Sequence, residues 1–212
     1  GEYLFVPDLG IDTLMGYRRG PGDNEWSGHE AIRFAPGDGP RHLAWHPGGR
    51  TAYVIHELSN RVSRLTYDAA EGRLELRETV STLPASFEGT SYCAEVAVSP
   101  DGRFVYGSNR GHDSLAVFRA DGPEGALQPV GHVSTRGKWP RHFAITPDGR
   151  WLLAANEQTN NVVVFRLDPE SGLPIYAGID IPVSKPTCVL FRPAPGTKLT
   201  SRCSISRLSP IC

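Results

Sequence analysis

Short apolar runs alternate with polar turns along most of the chain, with the two-residue period of β-strands. Around residue 100 the order is a turn at 100–103, a strand at 104–108, a polar reversal at 109–114 and a second strand at 115–118. Proline presets the backbone of such a turn, and glycine accepts the positive φ that it often needs. The pattern predicts antiparallel hairpins.

The same order of strand, turn and strand occurs three times, at 40–67, 94–118 and 140–165. A fourth strand follows, at 74–77 in the first copy and at 128–133 in the second. Residues 3–8 match the second strand of a further copy. One repeat position is then shared by four polar residues: Asp8, His56, Asn109 and Asn156. About four strands per 40–50 residues is typical of a propeller blade, so the sequence predicts an all-β propeller of about four four-stranded blades.

The repeat pattern divides the chain into a partial propeller over 1–191 and a tail over 192–212. Within the first part, 185–191 matches a lone innermost strand, and the chain opens in the middle of a blade. The tail is rich in proline, serine and arginine and has no partner strand. We expect it to be disordered or foreign to the fold.

Charge and cysteine content exclude several classes of protein. The 22 basic and 23 acidic residues give a net charge of −1, without the basic surface expected for nucleic acid or an anionic membrane. No apolar run approaches the roughly 18 residues needed to span a bilayer. The four cysteines show no metal-ligand spacing: Cys93, Cys188, Cys203 and Cys212. Reduced thiols and a cytoplasmic location are the expectation.

Hairpin direction predicts where a site would lie. The first strand of each unit runs towards the Pro-x-Gly-Arg turn and the second runs back, so the start of one and the end of the other share one end. Innermost strands line the propeller channel, and a funnel with converging polar groups is the usual ligand site. The residues predicted at this mouth are Asp8, Arg41, His42, His56, Glu57, Glu95, Asn109, Arg110, Arg141, His142, Asn156 and Glu157.

Structural explanations compete for part of this set. Asn109, Asn156 and Asp113 are turn formers, and Glu57, Arg110 and Glu157 can be solvated charges or ion pairs between blades. The Arg-His pairs at 41–42 and 141–142 are harder to explain structurally, since burying them is costly unless they meet an anion or a carboxylate. No metal or cofactor is predicted: His42 and His46 are four residues apart on a strand, about 13 Å, and no phosphate-binding glycine loop is present.

Several segments together are specific: PRHLAWHP, TLPASFEGTSYCAEVAVSPDGRFVYGSNRGHDSLAVF and PRHFAITPDGRWLLAANEQTNNVVVF. They resemble the seven-bladed propeller lactonase family, which includes cytoplasmic phosphogluconolactonases and carboxymuconate-cyclizing enzymes. The resemblance covers residues 1 to about 191 and implies four of seven blades, with the N-terminal blades missing. It implies a metal-free lactone hydrolase, or alternatively a lactone-forming cyclase, acting on a small anionic substrate.

The matching motifs imply the site residues. Those with an expected catalytic role are His42, Glu95 and Arg141, and those expected to bind substrate are Arg41, Asn109, Arg110, His142, Asn156 and Glu157. Glu95 or His42 would act as the general base. Arg110 or Arg141 would stabilise the oxyanion or clamp a phosphate or carboxylate.

Two other hypotheses stay open from the sequence. A non-catalytic propeller could bind a protein partner, for which Trp26 is the exposed anchor to expect, while Trp45, Trp139 and Trp151 are expected in the core or between blades. A partial ring would also expose two blade faces. The chain could then be inactive, unstable or dimeric.

Overall fold

The computed structural model describes residues 2–22, 25–120 and 125–192 as four antiparallel sheets arranged as successive blades. The bounds are β1 (Tyr3–Asp8), β2 (Thr13–Arg19) and β3 (Trp26–Arg33) in blade 1; β4 (Pro40–Trp45), β5 (Thr51–His56), β6 (Arg61–Asp68) and β7 (Arg73–Ser81) in blade 2; β8 (Tyr92–Val98), β9 (Phe104–Arg110), β10 (Ser114–Arg119) and β11 (Gln128–Ser134) in blade 3; and β12 (Pro140–Ile145), β13 (Trp151–Asn156), β14 (Asn161–Leu167) and β15 (Pro174–Pro182) in blade 4.

The all-β propeller prediction is confirmed. Blades 2, 3 and 4 each have four strands in sequence order, and blade 1 has three. The described part of the chain contains no α-helix, and a 3₁₀ turn lies at Leu9–Ile11. No helix in that part is long and apolar enough to cross a membrane.

The lone innermost strand expected at 185–191 is not formed, and this prediction is wrong. A strand needs a neighbour for its backbone groups, and none of the described strands pairs with this segment. Two of its backbone N–H groups bond side chains instead: Lys185 donates to Asn160 Oδ1 (3.0 Å) and Val189 to His142 Nδ1 (3.3 Å). The predicted disorder of 192–212 concerns residues that, apart from Arg192, lie outside the described part.

The core lies between blades, as expected for a fold whose sheets bury their faces on one another. The cluster between blades 2 and 3 contains Tyr53, Ile55, Val105 and Phe118. A second cluster between blades 3 and 4 is built around Phe104, Tyr106, Leu152 and Phe165. A third joins blades 1 and 2, where Leu14 and Leu65 are completely buried.

Glycine turns fasten each blade to the preceding one. The turn between the third and fourth strands of blade 4 places Gly172, at φ 72°, on the ring of Phe104 in blade 3. The Tyr106 hydroxyl donates to the carbonyl of Gly172 (2.8 Å). Tyr53 of blade 2 donates in the same way to the carbonyl of Gly125 of blade 3 (2.9 Å). These repeated contacts fix how neighbouring blades sit, and so where their channel ends meet.

Candidate active site

The channel ends of blades 2, 3 and 4 meet at one carboxylate. Glu95 Oε2 of β8 lies 3.0 Å from His42 Nδ1 of β4 and 3.2 Å from His142 Nε2 of β12. Three of the residues predicted for the mouth are therefore in contact, although they are 47 to 100 positions apart in sequence. Glu95 is mostly buried, with 13% of its side chain exposed, while His42 is 40% exposed.

A bulge in each innermost strand gives these side chains their direction. The pairing register shifts between Pro40 and His42 in β4, and between Pro140 and His142 in β12. A regular strand would send consecutive side chains to opposite faces, and an extra residue breaks that alternation. As a result Arg41 lies against its neighbour, with one guanidinium nitrogen 3.1 and 2.9 Å from the two ring nitrogens of His42.

The third innermost strand carries a related irregularity. In β8 the register shifts between Cys93 and Val96, so Glu95 lies in the irregular stretch. Its backbone N–H donates to the Ser108 hydroxyl (3.0 Å), and its Oε1 accepts the N–H of Val96 (3.1 Å). The carboxylate is thus held on one oxygen by its own strand and presents the other to the two imidazoles.

His142 is fixed in one tautomer. The Val189 N–H donates to Nδ1, so this nitrogen carries no hydrogen, and the protonated Nε2 lies 3.2 Å from Glu95 Oε2 and 3.9 Å from Cys188 Sγ. Burial lowers the pKa of His142 below its usual value, assisted by His42 and Arg41 and opposed by Glu95. At neutral pH the ring is therefore neutral, with Nε2–H close to the Glu95 carboxylate.

A second carboxylate joins two cations across the junction of blades 2 and 3. Glu57 Oε2 lies 3.0 Å from Arg41 Nε, and its Oε1 lies 2.9 Å from a terminal nitrogen of Arg110. Arg110 also donates to the carbonyls of Tyr92 and Cys93. Its side chain is only 5% exposed. Arg110 therefore links blades 2 and 3 and has almost no surface for contact with a ligand.

Arg141 is the most exposed of the three mouth guanidiniums. Its side chain is 40% exposed, and its nearest carboxylate oxygen, Glu157 Oε2, is 3.7 Å away. This oxygen is buried and makes no hydrogen bond to any described residue. Arg141 can therefore bind an incoming anion without breaking a short ion pair.

Asn109 and Asn156 are placed differently from the expectation that they touch substrate. Both are completely buried. Their amide groups donate to carbonyls of the preceding blade connection, Asn109 to Thr82 (2.8 Å) and Asn156 to Thr135 (3.0 Å). A side chain with no accessible surface cannot contact a ligand in the funnel, so the structural alternative fits these two positions better, here as a bond between blades.

The sequence-based reasoning missed two supporting groups. Ser108 orients Glu95, and Val189 fixes the tautomer of His142. No motif marks either residue, because Ser108 looks like an ordinary strand residue and Val189 acts through its backbone. Among the described residues, no group of three or more His, Cys, Asp or Glu could hold a metal ion.

The tryptophans bear on the alternative of a protein-binding scaffold. Trp26 is 47% exposed, as predicted. Trp45 packs between blades against Phe5 and Tyr67, yet 40% of it is exposed. Trp139 covers the guanidinium of Arg110 at 5.4 Å. The exposed tryptophan rings do not belong to the cluster of charged residues at the channel mouth. A small anion would bind that charged cluster.

Comparison with known proteins gives the chain its family. A family model described as "Lactonase, 7-bladed beta-propeller" matches residues 1–191. A 6-phosphogluconolactonase of Bacillus subtilis is 46% identical over 142 residues, which is 67% of this chain and 40% of that protein. An uncharacterized protein of Staphylococcus saprophyticus is 44% identical over 143 residues, again 67% of this chain and 40% of its own.

Solved structures agree with the family model. A periplasmic gluconolactonase of Pseudomonas aeruginosa has a TM-score of 0.82 at 37% identity, over 89% of this chain and 53% of its own. A protein from Lactobacillus plantarum has a TM-score of 0.79 at 32% identity, over 86% and 53%. This chain thus spans two-fifths to about half the length of the proteins it matches. It belongs to the seven-bladed β-propeller lactonase family.

Proposed function

We propose that this chain carries the catalytic groups of a lactonase that hydrolyses a small anionic sugar lactone of the 6-phosphogluconolactone type. The observation that carries the proposal is the Glu95 carboxylate between two imidazoles, next to an exposed guanidinium. The relatives named 6-phosphogluconolactonase and gluconolactonase support a sugar lactone as the substrate class.

His42 fits the role of general base. With Nδ1–H directed to Glu95 at 3.0 Å, Nε2 is the unprotonated nitrogen. Arg41, which lies 2.9 Å from Nε2, has to turn from the ring to the substrate before Nε2 accepts a proton from water. Glu95 then orients the ring and stabilises its cationic form, as a carboxylate does beside a catalytic histidine. His142 supports the same carboxylate from the other side, so we assign it a positioning role in place of the substrate contact expected from sequence.

The reaction follows from these positions. Water forms a bond to the lactone carbonyl carbon while His42 takes its proton, and the negative charge moves to the carbonyl oxygen. Arg41, next to the same ring, is placed to stabilise that oxyanion. The ring C–O bond then breaks, and the proton passes from His42 to the departing alkoxide to give the hydroxy acid. Arg110, which lacks exposed surface, is left out of this step.

Arg141 fits the role of anion clamp. It is exposed and only loosely paired, and a guanidinium binds phosphate or carboxylate bidentately. A phosphorylated lactone would gain this contact, whereas an uncharged lactone would not. Arg141 is therefore proposed to set the preference for an anionic substrate.

The test compares hydrolysis of 6-phosphoglucono-δ-lactone and glucono-δ-lactone by the full chain, after subtraction of spontaneous hydrolysis. His42→Gln and Glu95→Gln should lower kcat by about 10²–10⁴-fold on both lactones. Arg141→Met should raise KM for the phosphorylated lactone only. His29→Gln and Arg73→Met change the same residue types at exposed positions on outer strands and should be neutral. A chain no faster than spontaneous hydrolysis, or three active-site variants at wild-type rates, would refute the proposal.

The cytoplasmic location remains a prediction. It rests on cysteine usage, and in the described part Cys93 and Cys188 are both free thiols. A related gluconolactonase is periplasmic, so family membership alone does not fix the compartment.

A further inference from the structure

Trp139 has a backbone conformation that is uncommon for a bulky residue. It lies directly before β12, the strand that carries Arg141 and His142, and its φ of 65° is in the left-handed region. Glycine adopts this region readily, whereas a bulky L-residue is an outlier there. Residues held in such conformations cluster at active sites, which makes the indole side chain a candidate for a role at the mouth.

The repeat shows that the backbone needs this conformation and that the indole does not serve it. Gly39 is the matching residue before β4 in blade 2, with φ 62°. In both blades the N–H of this residue donates to an aspartate, over 2.7 Å to Asp12 and 2.8 Å to Asp113. In both its carbonyl accepts the N–H of the glutamate that follows the second strand (2.7 and 3.0 Å). Glycine therefore makes every backbone bond of this position, and the side chain of Trp139 is an addition in blade 4.

The indole lies at the mouth, between blades 3 and 4. The centre of its ring system is 5.4 Å from the guanidinium carbon of Arg110 and 6.3 Å from the ring centre of Tyr92, the first residue of β8. Arg110 is itself held by Glu57 and by two backbone carbonyls, so it gives the indole a fixed support. Trp139 and Tyr92 are both partly exposed. The two rings therefore keep surface that a ligand in the mouth can contact.

An aromatic ring at this place suits a sugar. The face of an aromatic ring carries partial negative charge, and the C–H groups of a sugar ring carry partial positive charge because each carbon is bonded to oxygen. The carboxylates, imidazoles and guanidiniums of the mouth can bind the polar groups of a sugar but not its C–H face. Ligand sites usually combine aromatic walls with a few placed polar groups, and Trp139 supplies the aromatic part.

We propose that Trp139 is a substrate-binding residue that stacks on the C–H face of the sugar, with Tyr92 beside it, while Arg141 binds the anionic group. The inference rests on the proposed function for the class of substrate, but not for the reaction, because the open hydroxy acid presents the same C–H groups as the lactone. A ring face does not contact the phosphate. Trp139 therefore strengthens the binding of phosphorylated and unphosphorylated sugars equally, in contrast to Arg141.

The test measures binding of 6-phosphogluconate and gluconate to the full chain by titration calorimetry and by tryptophan fluorescence, neither of which needs turnover. Trp139→Gly should weaken the binding of both acids by about 3–10-fold, the usual size of one aromatic contact. Trp139→Phe keeps a ring and should bind within about 2-fold of the wild type, but it should lose the fluorescence change that the wild type shows. Trp26→Gly removes an indole that is 47% exposed on outer strand β3, and it should leave both affinities unchanged.

Trp139→Asn is a second variant, because asparagine also accepts the left-handed conformation, and circular dichroism checks that each variant keeps its β-structure. Wild-type affinities in Trp139→Gly and Trp139→Asn would overturn the inference and show that the indole only covers Arg110. So would weakened binding of 6-phosphogluconate alone, or a wild type that binds neither acid. A chain that binds both acids through Trp139 but does not hydrolyse the lactone would refute the proposed reaction and support this inference.

Discussion

Two glycines of blade 4 provide a sharp test of how blades are fastened together. Gly172 and Gly178 have nearly the same backbone conformation, with φ of 72° and 78°. A Cβ atom on Gly172 would lie 2.4 Å from Cδ1 of Phe104, whereas a Cβ on Gly178 would have no atom within 4 Å. Alanine at the two positions therefore shares the backbone penalty and differs in the contact with blade 3.

The magnitudes follow from these geometries. An L-residue in the left-handed region costs about 1–2 kcal/mol, and this is the whole expected effect of Gly178→Ala. In Gly172→Ala the added methyl also meets a ring that is 3% exposed and held by Arg103 and Arg119, whose guanidinium carbons lie 5.4 and 5.1 Å from its centre. Overpacking of this kind adds about 1–3 kcal/mol, so Gly172→Ala should cost about 2–5 kcal/mol in total.

Urea denaturation followed by tryptophan fluorescence measures the difference, with all variants at one protein concentration. For a chain of this size each kcal/mol corresponds to a fall in Tm of roughly 2–4 °C, which gives an independent check. Equal losses of unfolding free energy for Gly172→Ala and Gly178→Ala would show that the turn of blade 4 does not press on Phe104. The account of the blade junction would then be wrong.

Three further predictions concern buried polar groups. Glu57→Gln should lower the free energy of unfolding, measured in urea, by about 2–3 kcal/mol. This is less than the roughly 3–5 kcal/mol expected for a fully buried ion pair, because Arg110 keeps two carbonyl acceptors. The control Glu75→Gln removes an exposed ion pair and should lower it by less than about 1 kcal/mol. Burial lowers the pKa of His56 to about 4, so from pH 6.5 to 4 the unfolded chain takes up a proton that the native chain does not. Unfolding free energy should fall across that window by about 3 kcal/mol at most, and His56→Asn should flatten the fall; an unchanged slope would contradict this. Burial raises the pKa of the Cys93 thiol to about 12, so iodoacetamide should label its peptide in urea but not in the native chain, and native labelling would count against it.

Most of the fold could be predicted from the sequence because its signals are local and repeated. The Pro-x-Gly-Arg turns, such as 100–103, fix the hairpins, and alternation fixes which strand face is apolar. The repeat of about four strands indicates a blade, and the direction of each hairpin places the charged residues at one end of the channel. The contact of His42, Glu95 and His142 agrees with that reasoning, although they come from three blades.

The parts that could not be predicted depend on neighbours. Segment 185–191 has the residues of a strand, but a strand forms only where another edge accepts its hydrogen bonds. Asn109 and Asn156 have the residue type of a binding loop, yet each is buried against the preceding blade. Asparagine recurs at this repeat position in blades 3 and 4, and recurrence in successive blades is what a structural bond between blades produces. A ligand that sits once in the funnel does not require it.

The bulges explain why an Arg-His pair can work in an innermost strand. In a regular strand His42 would face the channel only if Arg41 faced away, into the apolar junction with the next blade, where a guanidinium is costly. The extra residue in β4 turns Arg41 back to its neighbour and to Glu57, and the same shift in β12 leaves Arg141 at the mouth. The proposed base, oxyanion donor and anion clamp are therefore gathered on one side by a backbone irregularity that leaves the apolar junctions intact. Proposed chemistry at the channel end and apolar packing between blades are thus set by different residues of the same strand.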